Sequence, residues 1–435
     1  MNSGLAGWGN GLAGVIIFSA SLPATRVAVA DFDPVFLTAA RAALAALLGA
    51  LLLLLLQQKR PAGRDMTPLV ITAAGGWDVT YTFDPKVGIP HIDGPEVDLT
   101  HLTDDVEAVQ TIAGMPLMVN PRKRPAVTAF FEKWGHRTAI VNGIWVGAIG
   151  HPTCTVRILT GTPSDKRPDI SVIAGNELVG DRPLGSVDFS GFGFSGPLGV
   201  THGAMGARGQ ARALVERSAA LPRPDGTTST VLPDAAQVAI DEHVRRRIAA
   251  VAGASRHNPA AQQQLADLAE SLDRSQILRD QGLPLDRLGV GQEATPGTLG
   301  LTLVDLLERN VCRTAMMDSS FHWDTHYGTS TQHTNYEATF ADLHVLIDEL
   351  EARGMLDRVL VCVISEMTRT PLVNALGGKD HWPHTSALFI GGGVVGGRVR
   401  GATDDYLESL PVDLATGAVD SAGELLRYDN LAAGL

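Results

Sequence analysis

The sequence predicts an α/β protein in two parts: an N-terminal transmembrane helical hairpin, then an α/β/α sandwich on a mainly parallel central sheet. Three observations carry this. Composition changes abruptly near residue 65, from long apolar runs to a mixed pattern. Beyond that point short apolar runs alternate with helical patterns, as they do when helices cover both faces of one sheet. One run, "VLVCVISE" ending at Glu366, is almost continuously apolar, the mark of a strand buried on both sides.

Residues 1–66 supply the membrane segment. The run "VFLTAARAALAALLGALLLLLLQQKR" holds about 20 apolar residues, enough at about 1.5 Å each to cross a hydrocarbon core of about 30 Å. A single helix is expected over residues 36–57. The preceding run, "GLAGVIIFSASLPATRVAVA", makes the other half of the hairpin, with the turn at "DFDP". Lys59, Arg60 and Arg64 follow the apolar run, whereas a secretory signal has its basic residues in front. Positive charge marks that end as cytoplasmic, so the hairpin places both termini there.

From residue 67 to 435 the domain reads as follows. "LVITAAGGWD" is a strand ending in two glycines and Asp78, and "TAIVNGIWVGAIG" and "DISVIAGNE" are further strands. An Ala-, Gln- and Arg-rich stretch, residues 205–295, reads as a helical insertion. "LTLVDLLERN" is a helix leading into the strand "VCRTAMMDS". A helix opens at Asn335 with Tyr336, Phe340, Leu343, Ile347 and Leu350 on its buried face, Asp342 and Glu349 on its exposed one, and Gly354 past its end. "SALFIGGGVVGG" is the last strand and its turn.

Composition narrows the function. The 435 residues carry a net charge of −12 with no basic stripe, which excludes a general nucleic-acid role. The three cysteines, Cys154, Cys312 and Cys362, are too far apart for a zinc ribbon or a disulfide framework.

Polar residues gather where strands end. Asp78 follows the first strand. "HWDTHYGTSTQH" places His322, Asp324, His326 and His333 after the strand at Cys312, and alternate residues such as Asp324 and His326 share a face. His333 reads as structural or solvent-exposed, and His322 as either a partner of a ligand or a surface residue. Glu366 ends "VLVCVISE", and "GGKDHWPHTS" brings Asp380, His381 and His384. Ligands of open α/β sheets bind beyond the carboxyl ends of the strands, and imidazoles with carboxylates suit a divalent metal. The other reading is a polar cleft whose charges pair with arginines such as Arg369. In "GHPTCTVRILTG" a proline suits a first helical turn, so free N–H groups there, with Arg157 nearby, could hold an anion. Thr153 and Thr155 serve there either in catalysis or as caps.

At "AAGGWDVTYTFDPK", "WDTH", "ISEMTRTP" and "GGKDHWPHTSALFIGGGVVGGRVRGATDD" the chain resembles the bacterial family of domain of unknown function 1501 (DUF1501), over about residues 67–435. That family is similar in fold to the alkaline phosphatase and sulfatase superfamily. The resemblance implies an alkaline phosphatase-like α/β/α sandwich with a divalent metal ion, held by Asp78, Asp324, His326, Glu366 and His381. Trp382 and Pro383 would fix the last loop. The nucleophile slot of such hydrolases falls on His151, where this chain departs from a Ser, Thr or Cys. His151, Thr153 and Arg157 are accordingly the residues expected to face substrate.

Residues 1–66 resemble the first two helices of the EamA drug/metabolite transporter family, in "FSASLPATRVAVADFDPVFLTAARAALAALL". Expected functions are therefore a metal-dependent hydrolase of an anionic small-molecule or glycan ester, a non-catalytic binding protein on the same fold, or a transporter fragment. All three are membrane-associated through the N-terminal segment. The hairpin predicts a cytoplasmic domain, whereas members of the resembled family are commonly exported.

Overall fold

The side chains of β1 (Thr67–Thr72) alternate between two interiors: Leu69 and Ile71 enter one, Val70 the other. A strand with apolar residues on both faces has to be covered on both, and this one lies near the middle of an eight-stranded sheet. The computed structural model describes residues 66–95, 107–204, 221–222, 228–229, 234–281, 296–319 and 322–434. The other sheet strands are β2 (Thr138–Trp145), β3 (Ser186–Asp188), β4 (His202–Ala204), β5 (Thr314–Asp318), β6 (Val359–Ile364), β7 (His384–Gly391) and β8 (Arg398–Arg400). Their order is β8-β2-β7-β6-β1-β5-β3-β4. Only β7 runs against the rest, antiparallel to both β6 and β2.

One face of the sheet is covered by α1 (Pro125–Trp134), and the other by α2 (His151–Thr160) and α3 (Ile170–Glu177). Two helices, α4 (Asp234–Ala254) and α5 (Pro259–Gln281), occupy the region expected as a helical insertion. The first face is completed by α6 (Pro296–Glu308) and α7 (Thr331–Ala352), and the second by the short α8 (Tyr428–Gly434). Along α7 the buried residues Tyr336, Phe340, Leu343, Leu346, Ile347 and Leu350 form the stripe that fixes it to the sheet. Each such side chain contributes about 1.5–3 kcal/mol on burial.

Three expectations change. "DISVIAGNE" is not a strand but α3, because the Asp169 carboxylate accepts the Val172 N–H at 2.8 Å and caps a helix there. Short apolar runs fit either state until a cap decides. Helix α7 begins at Thr331 rather than Asn335, one turn early, which takes Gln332 and His333 into its first turn. Asp342 and Glu349 are half-buried, with Glu349 paired to Arg353. The membrane hairpin and the helix at 36–57 lie outside the described residues. Among the described residues no helix is long and apolar enough to cross a membrane.

The reversed strand matters for the site. The carboxyl ends of β1, β2, β5 and β6 share one edge of the sheet, and an antiparallel β7 brings its amino end to that same edge. Loops that precede β7 therefore meet loops that follow the others.

Candidate metal centre

Each polar residue reaches this edge by a local device. Trp323 and Thr325 are buried while Asp324 and His326 turn the other way, the alternation of an extended segment. Gln332 clamps that segment: its amide donates to Trp323 O and Thr325 Oγ1, and its carbonyl accepts the Asp78 N–H. Gly75, at φ +114°, lies so close that a Cβ would sit 2.7 Å from the Asp324 nitrogen. Its N–H donates to Glu366 Oε1 at 2.6 Å. Gly378 packs directly on the His326 carbonyl, leaving no room for a side chain. A two-residue ladder, Thr368–Arg369 with His381–Trp382, holds Arg369 beside His381.

Three imidazoles converge on the Asp324 carboxylate. His151, the first residue of α2, has Nδ1 2.9 Å from Oε1 of the buried Glu366. His326 has Nδ1 2.7 Å from Asp380 Oδ1, and His381 has Nδ1 2.6 Å from the carbonyl of Ile149. Carboxylates and carbonyls only accept, so each Nδ1 carries a proton, and in the neutral ring Nε2 then presents a lone pair. Those three Nε2 atoms lie 3.4, 3.0 and 3.2 Å from oxygens of Asp324. Nε2 of His326 and Nε2 of His381 are only 2.9 Å apart. A proton or a metal ion between them relieves the repulsion of two facing lone pairs at that distance. His151 Nε2 is buried and has no hydrogen-bond partner. One proton could bridge that single pair of nitrogens; it would leave His151 Nε2 without a partner.

A divalent ion fits this donor set. His151, Asp324 and His381 offer ligand atoms within 4.8 Å of one another, and the His326 contacts add a fourth donor. Three imidazoles with one carboxylate suit zinc or a similar d-block ion, and the Nδ1 partners are the hydrogen bonds that orient histidine ligands.

The surrounding charges agree. The Glu366 hydrogen bond raises the His151 pKa, with burial working against it. Burial pulls the Asp324 carboxyl upward, but the Arg369 guanidinium, 2.7 Å away, outweighs it, so its pKa is lowered. The His326 hydrogen bond lowers that of Asp380. The polar-cleft reading is thus partly realised as well, since Arg369 does pair with Asp324.

Of the residues expected to bind metal, Asp324, His326 and His381 meet, and Glu366 supports His151 from behind. Asp78 does not join them: its Oδ2 is 2.7 Å from Lys379 Nζ and its Oδ1 accepts from Thr80. Of the residues expected to face substrate, His151 belongs to the ligand cluster. Thr153 is exposed on the first turn of α2, and no hydrogen bond ties its hydroxyl to the cluster. Arg157 turns away, donating to the carbonyl of Val146 and lining a separate cavity of about 250 Å³ with Trp145 and Arg427. Cys154 is buried in the core, which pushes its thiol up to about 11. His322 is exposed. His333 is buried against Arg124 and the Tyr81 ring. Sequence reasoning passed over Gln332 and Lys379. Lys379 stands in full view in "GGKDHWPH", but its partner lies 301 positions away.

Comparison with known proteins gives three results. The model of the family described as "Protein of unknown function (DUF1501)" matches residues 68–414. A stretch of 75 residues is 56% identical to "Uncharacterized transporter YdeK" of Bacillus subtilis (strain 168), covering 17% of this chain and 26% of that protein. The chain thus spans about a quarter of that relative's length. Among solved structures, it is similar to the lipoteichoic acid synthase LtaP from Listeria monocytogenes, with 9% identity, TM-score 0.35, and 85% of this chain and 76% of that one covered. The PsFucS1 sulfatase from Pseudoalteromonas sp. follows, with 13% identity, TM-score 0.33, and coverage of 85% and 72%. The alkaline phosphatase of the Antarctic bacterium TAB5 has 10% identity, TM-score 0.31, and coverage of 77% and 94%. These likenesses concern the course of the chain alone.

Proposed function

We propose that this chain, which belongs to the DUF1501 family, is a metal-dependent hydrolase of a phosphate or sulfate ester. One observation carries the reading: three imidazoles, each with its Nδ1 hydrogen held by a fixed acceptor, direct Nε2 at one carboxylate. A divalent ion bound there supplies Lewis acidity toward an ester oxygen and toward water. His151, Asp324, His326 and His381 hold it. Glu366, Asp380 and the Ile149 carbonyl keep the rings oriented. Arg369 offsets part of the Asp324 charge, and half-exposed His326 and Asp380 stand at the open side, where an ester would enter. The ester class comes from the sequence resemblance, and the substrate is a small molecule or a glycan. The chain acts at a membrane through its N-terminal segment.

A second reading is a binding protein on the same fold, without turnover. It is favoured because, among the described residues, neither hydroxyl nor thiol of the α2 start meets the cluster: Thr153 faces solvent and Cys154 is buried. A transporter fragment is the third, supported only by the short match to a transporter. The test is metal analysis of the purified full chain with a screen of generic phosphate and sulfate esters. Bound metal with turnover is expected. Metal without turnover selects the binding protein, and a chain that takes up no metal sinks the hydrolase.

A further inference from the structure

We infer that the edge holds one divalent ion per chain, not two, and that the Lys379 ammonium is the permanent cation at Asp78. This rests on the metal-centre reading above and concerns the number of ions. Six carboxylates and imidazoles gather around the edge besides Asp78: His151, Asp324, His326, Glu366, Asp380 and His381. That is enough protein for two ions, so the count must come from the geometry.

Asp78 is fully committed. Its side chain is 0% exposed and that of Lys379 1%, with Oδ2 and Nζ 2.7 Å apart. Oδ1 accepts the Thr80 N–H at 3.1 Å and the Thr80 hydroxyl at 2.7 Å. Main-chain bonds fix both partners. Gln332 holds the Asp78 N–H, Tyr336 donates to the Asp78 carbonyl, and the Lys379 N–H donates to Thr325 O. An ion at Asp78 would have to expel an ammonium that has no solvent beside it. Removing one partner of a buried pair is strongly unfavourable.

The charge count points the same way. The ion-paired groups of the cluster and of the Asp78 pair are four carboxylates, Asp78, Asp324, Glu366 and Asp380, and two cations, Arg369 and Lys379. With neutral imidazoles this set is left with a charge of −2. One divalent ion brings it to zero, and a second would leave an excess of +2 on a partly buried edge.

The experiment is elemental analysis of the full chain after zinc loading and desalting, with X-ray absorption at the zinc edge. One ion per chain is expected, in a shell of three imidazole nitrogens and one oxygen. Two ions per chain, or a metal–metal vector of about 3.5–4 Å, overturn the inference. No bound ion overturns instead the metal-centre reading on which it rests. The double variant Asp78→Asn/Lys379→Met replaces the pair by uncharged groups of similar volume and should keep one ion. A folded double variant that loses the ion makes Asp78 a ligand and likewise overturns the inference. The wild-type count stands as the test whether or not that variant folds.

Discussion

Two histidines seven residues apart, His326 and His333, have opposite fates. His326 is half-exposed with both ring nitrogens engaged at the edge, whereas His333 is 4% exposed among Arg124, Glu107 and Tyr81. The difference lies in neighbouring backbone: an extended segment carries one, the first turn of a helix the other. His326→Ala should therefore abolish metal uptake while leaving the fold intact, because the ring is half in solvent. His333→Ala should keep the ion but lose about 2 kcal/mol of stability, since it leaves a cavity beside the buried Arg124–Glu107 pair and the Tyr81 ring. Metal content and urea unfolding of the two variants provide the check. Equal metal loss from both would contradict the assignment.

At the scale of the element, β7 joins site to scaffold, because His384, its first residue, sits three positions after His381. Burial lowers the His384 pKa to about 4, and its Nδ1 accepts the Ser409 N–H. A histidine whose pKa falls on folding binds its proton more readily in the unfolded chain. Its contribution is complete above about 6.5 and is lost as pH falls toward 4. Asp169 works in the opposite sense. Burial raises its carboxyl to about 6, so its contribution is greatest at low pH and is lost as pH rises through that value. The two oppose each other between pH 4 and 6. His384→Asn keeps an acceptor near Nδ1 without a titrating group. Relative to wild type, the variant should gain about 1–2 kcal/mol at pH 4.5 compared with pH 7.5. Chemical denaturation at the two pH values measures this, and parallel curves would exclude it.

At the scale of the whole molecule, the site is a seam between distant parts of the chain. Gly75, His151, Asp324, Glu366 and His381 come from four connections at one edge of the sheet, Glu366 and His381 sharing the one between β6 and β7. An ion held by His151, Asp324, His326 and His381 would tie the loops at β2, β5 and β7 together, and its removal would leave the ion-paired groups two negative charges in excess. Ligand linkage stabilises the folded state by about 4 kcal/mol when free ion is a thousandfold above Kd. Chelation should therefore lower the unfolding temperature by several degrees, and added zinc should restore it. Unchanged thermal scans of demetallated and reloaded protein would show that the seam is held by side chains alone.

What the sequence by itself determined is the local physics. The doubly apolar run at Val359–Ile364 requires a covered strand, the stripe from Tyr336 to Leu350 requires a packed helix, and the alternation in "WDTH" turns Asp324 and His326 one way. Family membership was legible too, from the residues around "GGKDHWPH". What only the tertiary structure decided is pairing across the chain. Lys379 takes Asp78, Glu366 Oε1 takes His151, and Arg157 leaves the site that its helix begins. Periodicity constrains a side chain to a face, and a short motif constrains it to a loop. Neither specifies which charge, 301 residues distant, arrives first at a buried carboxylate. That is settled by strand order and by the single reversed strand β7, which brings the loop before it to the edge where the other strands end.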